Sequence, residues 1–238
     1  MILPEAIAEL VMANRIVAHL KVVDFFGHVT MRHPQNPERY LMSRSRAPGS
    51  VSAGDILEFH LDSTPVDSRG MSMYLERPIH GNIYQARPDV MAVCHNHAQG
   101  LLPFAVTKTA MRPAIHAAAV IGAEVPVWDI RDEFGETSLL VVNNDMGRSL
   151  ARCLGQGRAA LMRGHGSIVT GKSLKDVVFT AHYLQVNAEV VLRGRILGTV
   201  QSLSPEEVKL GAAVHDNPSL LGRAWEQWVV EAGLTGVV

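Results

Sequence analysis

The sequence predicts one α/β domain, and three observations carry that reading. Strand-like, β-branched runs alternate with helix-like stretches along the chain. The 238 residues, 47% of them hydrophobic, are enough to bury one substantial core. No Pro/Gly/Ser-rich linker, internal repeat or low-complexity stretch marks a point where two domains would part, so residues 1–238 read as one unit.

The elements follow in chain order. Residues 4–23 carry Ile7, Leu10, Val11, Asn14 and Val17 along one stripe at helical spacing, which predicts an amphipathic first helix; with no basic leader and no cleavage signal it does not read as a targeting peptide. Strand-like runs are expected at 27–33, 40–43, 55–61, 90–97, 125–129 and 139–142 and on both sides of His165. A long helix is expected from Ser173 to about Leu197. Ser204-Pro205-Glu206-Glu207 opens a helical tail with a capping residue and a proline at its first position. In that tail Trp225 and Trp228 fall on one helical stripe, a core pattern that also suits a subunit interface.

Composition excludes several functions. A formal net charge of −1 without basic runs argues against nucleic acid, and no apolar stretch reaches bilayer-spanning length. Cys94 and Cys153 are too few for a secreted disulfide framework, so the cytoplasm is the expected compartment.

The chemistry concentrates in histidines. Side chains alternate along a strand, so Val93-Cys94-His95-Asn96-His97 places His95 and His97 on one face and Cys94 on the other. His165 stands between Gly164 and Gly166, residues that permit unusual backbone angles and close approach of a neighbouring segment. An isolated histidine is most often only a hydrogen-bonded surface or half-buried group. Three that share one ion, with positions left open, instead describe a catalytic centre for Mn, Fe, Zn or Co.

The run from Glu76 to His97, with His80-Gly81-Asn82-Ile83-Tyr84 followed by Arg87-Pro88-Asp89 and then His95-x-His97, resembles the class II aldolase/adducin family. Gly27-His28-Val29-Thr30-Met31-Arg32, Met162-Arg163-Gly164-His165-Gly166 and Gly171-Lys172-Ser173-Leu174 extend the resemblance over roughly residues 5 to 200. It implies a three-layer domain with a central, mostly antiparallel sheet flanked by helices. It also implies cyclic homotetramers with sites at subunit seams, and a divalent ion held by His95, His97 and His165, with Glu76 as a fourth ligand or as the acid that delivers a proton.

Departures from the family pattern bear on the reaction. Tyr74-Leu75 replaces the paired serines that precede the glutamate in phosphate-using aldolases, His28 replaces an asparagine, and Thr30 replaces a serine. Ile115-His116-Ala117 lacks the tyrosine that such aldolases present to a neighbouring subunit. Residues 24–34, 42–45 and 125–129 instead look like the branch that decarboxylates hydroxylated aromatic or pyridine dicarboxylates such as 3,4-dihydroxyphthalate. The implied substrate is a small aromatic acid that chelates the ion through carboxylate and adjacent hydroxyl. Arg44, Arg46 and Arg77 are candidate carboxylate clamps, and His28, Ser43, Ser45 and His80 are candidate substrate contacts or supports. His116 is a candidate catalytic proton relay across a subunit boundary, while His33, His60, His182 and His215 are expected to be structural. The alternatives are an aldolase acting on a non-phosphorylated hydroxy-carbonyl compound, an adducin-like scaffold, and a purely structural metal.

Overall fold

In this computed structural model, which describes residues 3–236, the helices are α1 (Leu3–His19), α2 (Arg77–Ala86), α3 (Leu102–Val106), α4 (Arg131–Phe134), α5 (Asn144–Leu154), α6 (Leu174–Leu197), α7 (Pro205–His215) and α8 (Pro218–Glu231). The strands are β1 (His28–Arg32), β2 (Arg39–Ser43), β3 (Ile56–His60), β4 (Ala92–Asn96), β5 (Val127–Trp128), β6 (Ala159–Met162) and β7 (Gly166–Gly171). They form one sheet in the order β3-β2-β1-β4-β7-β6-β5, antiparallel throughout except for β5 against β6. None of these helices is long and apolar enough to cross a membrane.

Alternation along the strands creates two core layers. Val29 and Met31, Ala92 and Cys94, Leu161 and Val169 face α1, α3, α6 and α8. Tyr40, Met42, Val93, Ala160, Met162 and Ile168 face α2 and α5. Burial on both faces makes β6 apolar at every position, whereas β1 alternates and carries the buried polar side chains of His28, Thr30 and Arg32 on its second face. Asn14, on the apolar stripe of α1, is fully buried because its side chain accepts a hydrogen bond from Val29 N–H (3.0 Å) and donates to the Val29 carbonyl (3.2 Å). Trp225 and Trp228 both pack into the first layer.

Local chemistry sets the ends. The first helix stops at His19, four residues before the expected end, because Lys21 takes a left-handed φ of 56° and Asp24 then closes a turn onto Phe26 N–H and Gly27 N–H. The long helix runs over the expected span with Ser173 as its cap, and Ser204, the expected cap of α7, forms a reciprocal capping box with Glu207. Residues 139–142 do not form the expected strand: their backbone groups turn inward to polar side chains instead of pairing with a neighbouring strand.

One buried carboxylate braces the segment after β2. Asp55 receives Arg44 Nε at 2.6 Å, with Arg46 Nε at 3.5 Å and the hydroxyl and N–H of Ser52 at 2.7 and 2.9 Å. Burial alone would raise its pKa, but Ser52 and the two guanidinium groups outweigh burial and hold it at about 2. A carboxyl depressed in the folded state stabilises above its unfolded pKa and loses that contribution as pH falls through the folded one. Asp55→Asn is therefore expected to cost about 2 kcal/mol near neutral pH. In urea unfolding at a series of pH values, the gap between wild type and variant should shrink by roughly half by pH 3.

Candidate metal centre

Adjacent central strands and one tight turn bring the histidines together. His95 and His97 leave the end of β4 on the face opposite Cys94, as alternation requires. His165 sits in the turn between β6 and β7, where Gly164 takes φ +66°. Gly166 is fixed by proximity: a Cβ there would lie 2.2 Å from the Asn96 carbonyl and 2.8 Å from the His97 ring. Glu76 occupies the N-cap position of α2 and points back at the strand ends.

The ligand atoms of Glu76, His95, His97 and His165 all lie within 4.8 Å of one another. Glu76 Oε2 is 3.3 Å from His95 Nε2 and 3.4 Å from His165 Nε2, and His95 Nε2 is 3.1 Å from His97 Nε2. The second nitrogen of each ring explains this convergence. His95 Nδ1 meets the Ser167 carbonyl (3.1 Å), His97 Nδ1 the Asp24 carboxylate (3.0 Å), and His165 Nδ1 the Leu139 carbonyl (2.9 Å). All three partners only accept, so each Nδ1 must carry hydrogen, and in the neutral rings each Nε2 is left with a lone pair.

Three lone pairs and a carboxylate oxygen aimed at one point repel one another unless a cation lies between them. Without an ion the repulsion is relieved only by protons: burial works to raise the Glu76 carboxyl, but beside protonated His95 and His165 it is held well below the usual carboxylate range. The His165 ring, which burial would lower, is raised instead by its contact with Glu76. The donor set, three imidazole nitrogens and one carboxylate, thus suits a divalent transition ion.

The centre opens into a cavity of about 820 Å³. Phe25, Phe26, Met73, Leu75, Leu139 and Leu140 give it largely apolar walls, and Arg46 is the one arginine among the described lining residues. His28 and Ser45 also line it. Several expected contacts lie elsewhere. Arg44 is held by Asp55, and Arg77 donates to the carbonyls of Ser63 and Tyr74, so neither guanidinium lines the cavity. Ser43 is buried behind the wall, and so is His80, which contacts His28 and Thr30 rather than the cavity. His116 is not brought to this cavity within the chain; it is exposed, with its ring 4.7 Å from that of His215.

Other participants have weak signatures in the sequence. Asp24, which orients His97, sits in Asp-Phe-Phe-Gly, recognisable only as a turn signal. Leu139 and Val141 act through their backbone: the Leu139 carbonyl holds His165 while Leu139 takes a left-handed φ of 67°, and Val141 N–H holds Glu76 Oε1 at 3.0 Å. A non-glycine residue in that region is strained, and here it supports the site. Gly166→Ala is expected to leave a folded protein by circular dichroism but to weaken cobalt(II) binding to the metal-stripped protein by about 10-fold or more, read by titration of the cobalt absorption bands.

Residues 8–192 match the family model described as the class II aldolase and adducin N-terminal domain. The chain is 32% identical to decarboxylase tropJ of Talaromyces stipitatus, over 91% of this chain and 90% of that protein. It is 27% identical to the 3,4-dihydroxyphthalate decarboxylase of Arthrobacter keyseri, over 90% of this chain and 82% of that one. Its fold is similar to that of an aldolase II superfamily protein from Pseudomonas syringae, with a TM-score of 0.80 and 20% identity over 98% of this chain and 93% of the other. The match over most of the chain, with the histidines of its motifs gathered at one point, establishes that this protein belongs to the class II aldolase/adducin family.

Proposed function

We propose that this protein is a metal-dependent carboxy-lyase that removes carbon dioxide from a hydroxylated aromatic or pyridine dicarboxylic acid. The observation that carries the reading is the convergence of the Nε2 atoms of His95, His97 and His165 with Glu76 Oε2 at the floor of a largely apolar cavity. Its similarity to decarboxylases along nearly its whole length supports the same reaction class.

In this reading His95, His97, His165 and Glu76 hold a divalent ion, which when bound supplies Lewis-acid stabilisation of the negative charge left on the substrate as carbon dioxide departs. The protein's own groups do the rest. Phe25 and Phe26, 78% and 68% exposed at the cavity mouth, offer ring faces to a planar substrate. Arg46 receives the second carboxylate. Substrate oxygens would take the place of Glu76 Oε2 in the set that holds the ion, and the freed Oε2 takes the proton of the substrate hydroxyl as the acid binds. The ring–carboxylate bond then breaks with its electron pair remaining on the ring, and Glu76 returns the proton to that carbon. His116 serves a neighbouring subunit's cavity in a homotetramer.

With metal loaded, incubation with hydroxylated phthalates and pyridine dicarboxylates should release carbon dioxide. Release of pyruvate or a small aldehyde from hydroxyketo acids, with no carbon dioxide from any ortho-hydroxy aromatic acid, would instead establish the aldolase. His95→Ala is expected to abolish turnover and lower bound metal to below one ion per chain. Chelation should abolish activity while leaving the circular dichroism spectrum largely intact, since a catalytic ion, unlike a structural one, is not needed to hold the core together.

A further inference from the structure

A fourth histidine faces the same cavity with the opposite polarity. His28 lies directly across the β1–β4 pairing from His95, and the two ring centroids are 5.2 Å apart. Its partners differ in kind from those of the three converging imidazoles. Its Nδ1 lies 2.8 Å from His80 Nε2, His80 Nδ1 is 2.7 Å from Thr30 Oγ1, and Thr30 Oγ1 is 2.8 Å from the Tyr84 hydroxyl. All four side chains are at most 1% exposed. The chain therefore runs from the cavity wall to the interior, joining β1 to the i and i+4 positions of α2.

Hydrogen counting fixes its direction. The Tyr84 hydroxyl meets Val93 N–H, which can only donate, and Thr30 Oγ1, so the hydrogen of this buried phenol goes to Thr30. Thr30 then has one hydrogen to give, and its remaining partner is His80 Nδ1. His80, neutral because it is fully buried beside other imidazoles, carries its single hydrogen on Nε2 and donates to His28 Nδ1. His28 is left with hydrogen on Nε2, the nitrogen not engaged by the protein.

We propose that His28 presents a fixed N–H donor to the substrate, its tautomer set by the buried Tyr84–Thr30–His80 chain, and that it hydrogen-bonds the substrate oxygen on which negative charge accumulates. His28 is then a substrate-contacting residue that neither ligates the ion nor transfers a proton, while His80, Thr30 and Tyr84 are positioning residues. The same wiring explains why an imidazole so near His95 stands outside the converging set: its Nε2 has no lone pair to offer. The ligand must place an acceptor oxygen against β1, as an ortho-hydroxy aromatic acid does. The substrate side of this inference rests on the carboxy-lyase reading; the tautomer does not.

The test uses zinc-loaded protein labelled with 15N-histidine. Long-range proton–nitrogen correlation spectra, with His28→Gln to assign the resonances, should show His28 protonated on Nε2 and bare on Nδ1, and His95, His97 and His165 protonated on Nδ1. A His28 proton on Nδ1 would overturn the proposal. Thr30→Val should leave zinc content unchanged, make the His28 pattern mixed, and weaken salicylate binding about 10-fold, the ordinary worth of one hydrogen bond. Thr30→Ser should restore both readouts. If Thr30→Val does not fold, Tyr84→Phe serves in its place, and an unaltered His28 pattern in the folded variant would show that the chain does not set the tautomer. His28→Leu should cause the same loss of salicylate affinity. Failure of salicylate to bind wild-type protein would count against the carboxy-lyase reading, with the spectra still deciding the tautomer.

Discussion

Everything at this site depends on which nitrogen of each imidazole carries hydrogen. Ser167, Asp24 and Leu139 offer only acceptors to the Nδ1 atoms of His95, His97 and His165, and that alone turns three Nε2 lone pairs toward one point. The arrangement is unfavourable without a cation. The fold maintains it because the acceptors come from separate, well-anchored segments: the start of β7, the turn after α1 and the bend at Leu139 before α5. The orientation of the rings is therefore a property of the sheet and its connections rather than of the histidines themselves.

The centre of the sheet supplies the precision. β1, β4 and β7 lie side by side, and their register sets His28 opposite His95 and Ile168 opposite His95 on the other flank. A shift of one residue in either pairing would send a ring to the opposite face, so the two buried layers that fix the register also fix the site. Gly166 lets the last turn come within contact of His97, and α2 delivers Glu76 at its N-terminal end and His80 one turn later. Packing and chemistry share the same few elements.

Around this rigid floor the cavity is mostly apolar, and its charged groups are few. Guanidinium groups that look available in the sequence are engaged by the protein: Arg44 by Asp55, Arg77 by two carbonyls. Both brace the backbone that forms the cavity rim. The result is a wall that favours a flat, apolar ring and leaves polar recognition to the floor, Arg46 and His28.

Much of this was legible in the chain. Strand alternation placed His95 and His97 together and Cys94 behind them, glycines marked the tight turn at His165, and Ser173 and Ser204 marked helix starts; these are local rules that act within a few residues. What the sequence could not disclose was long-range. Asp24 meets His97 across 73 positions, and Val141 meets Glu76 across 65. Residues 139–142 look like a strand because their side chains are apolar, yet their backbone serves polar side chains from elsewhere. Arg44 and Arg77 read as free carboxylate clamps in the sequence, because residue type reveals hydrogen-bonding capacity but not the partner that uses it. The sequence by itself determined the family, the strand faces and the identity of the converging groups. Only the tertiary structure decided which nitrogen of each ring faces the cavity, because that depends on a partner brought close by the fold and not on any neighbour in the chain.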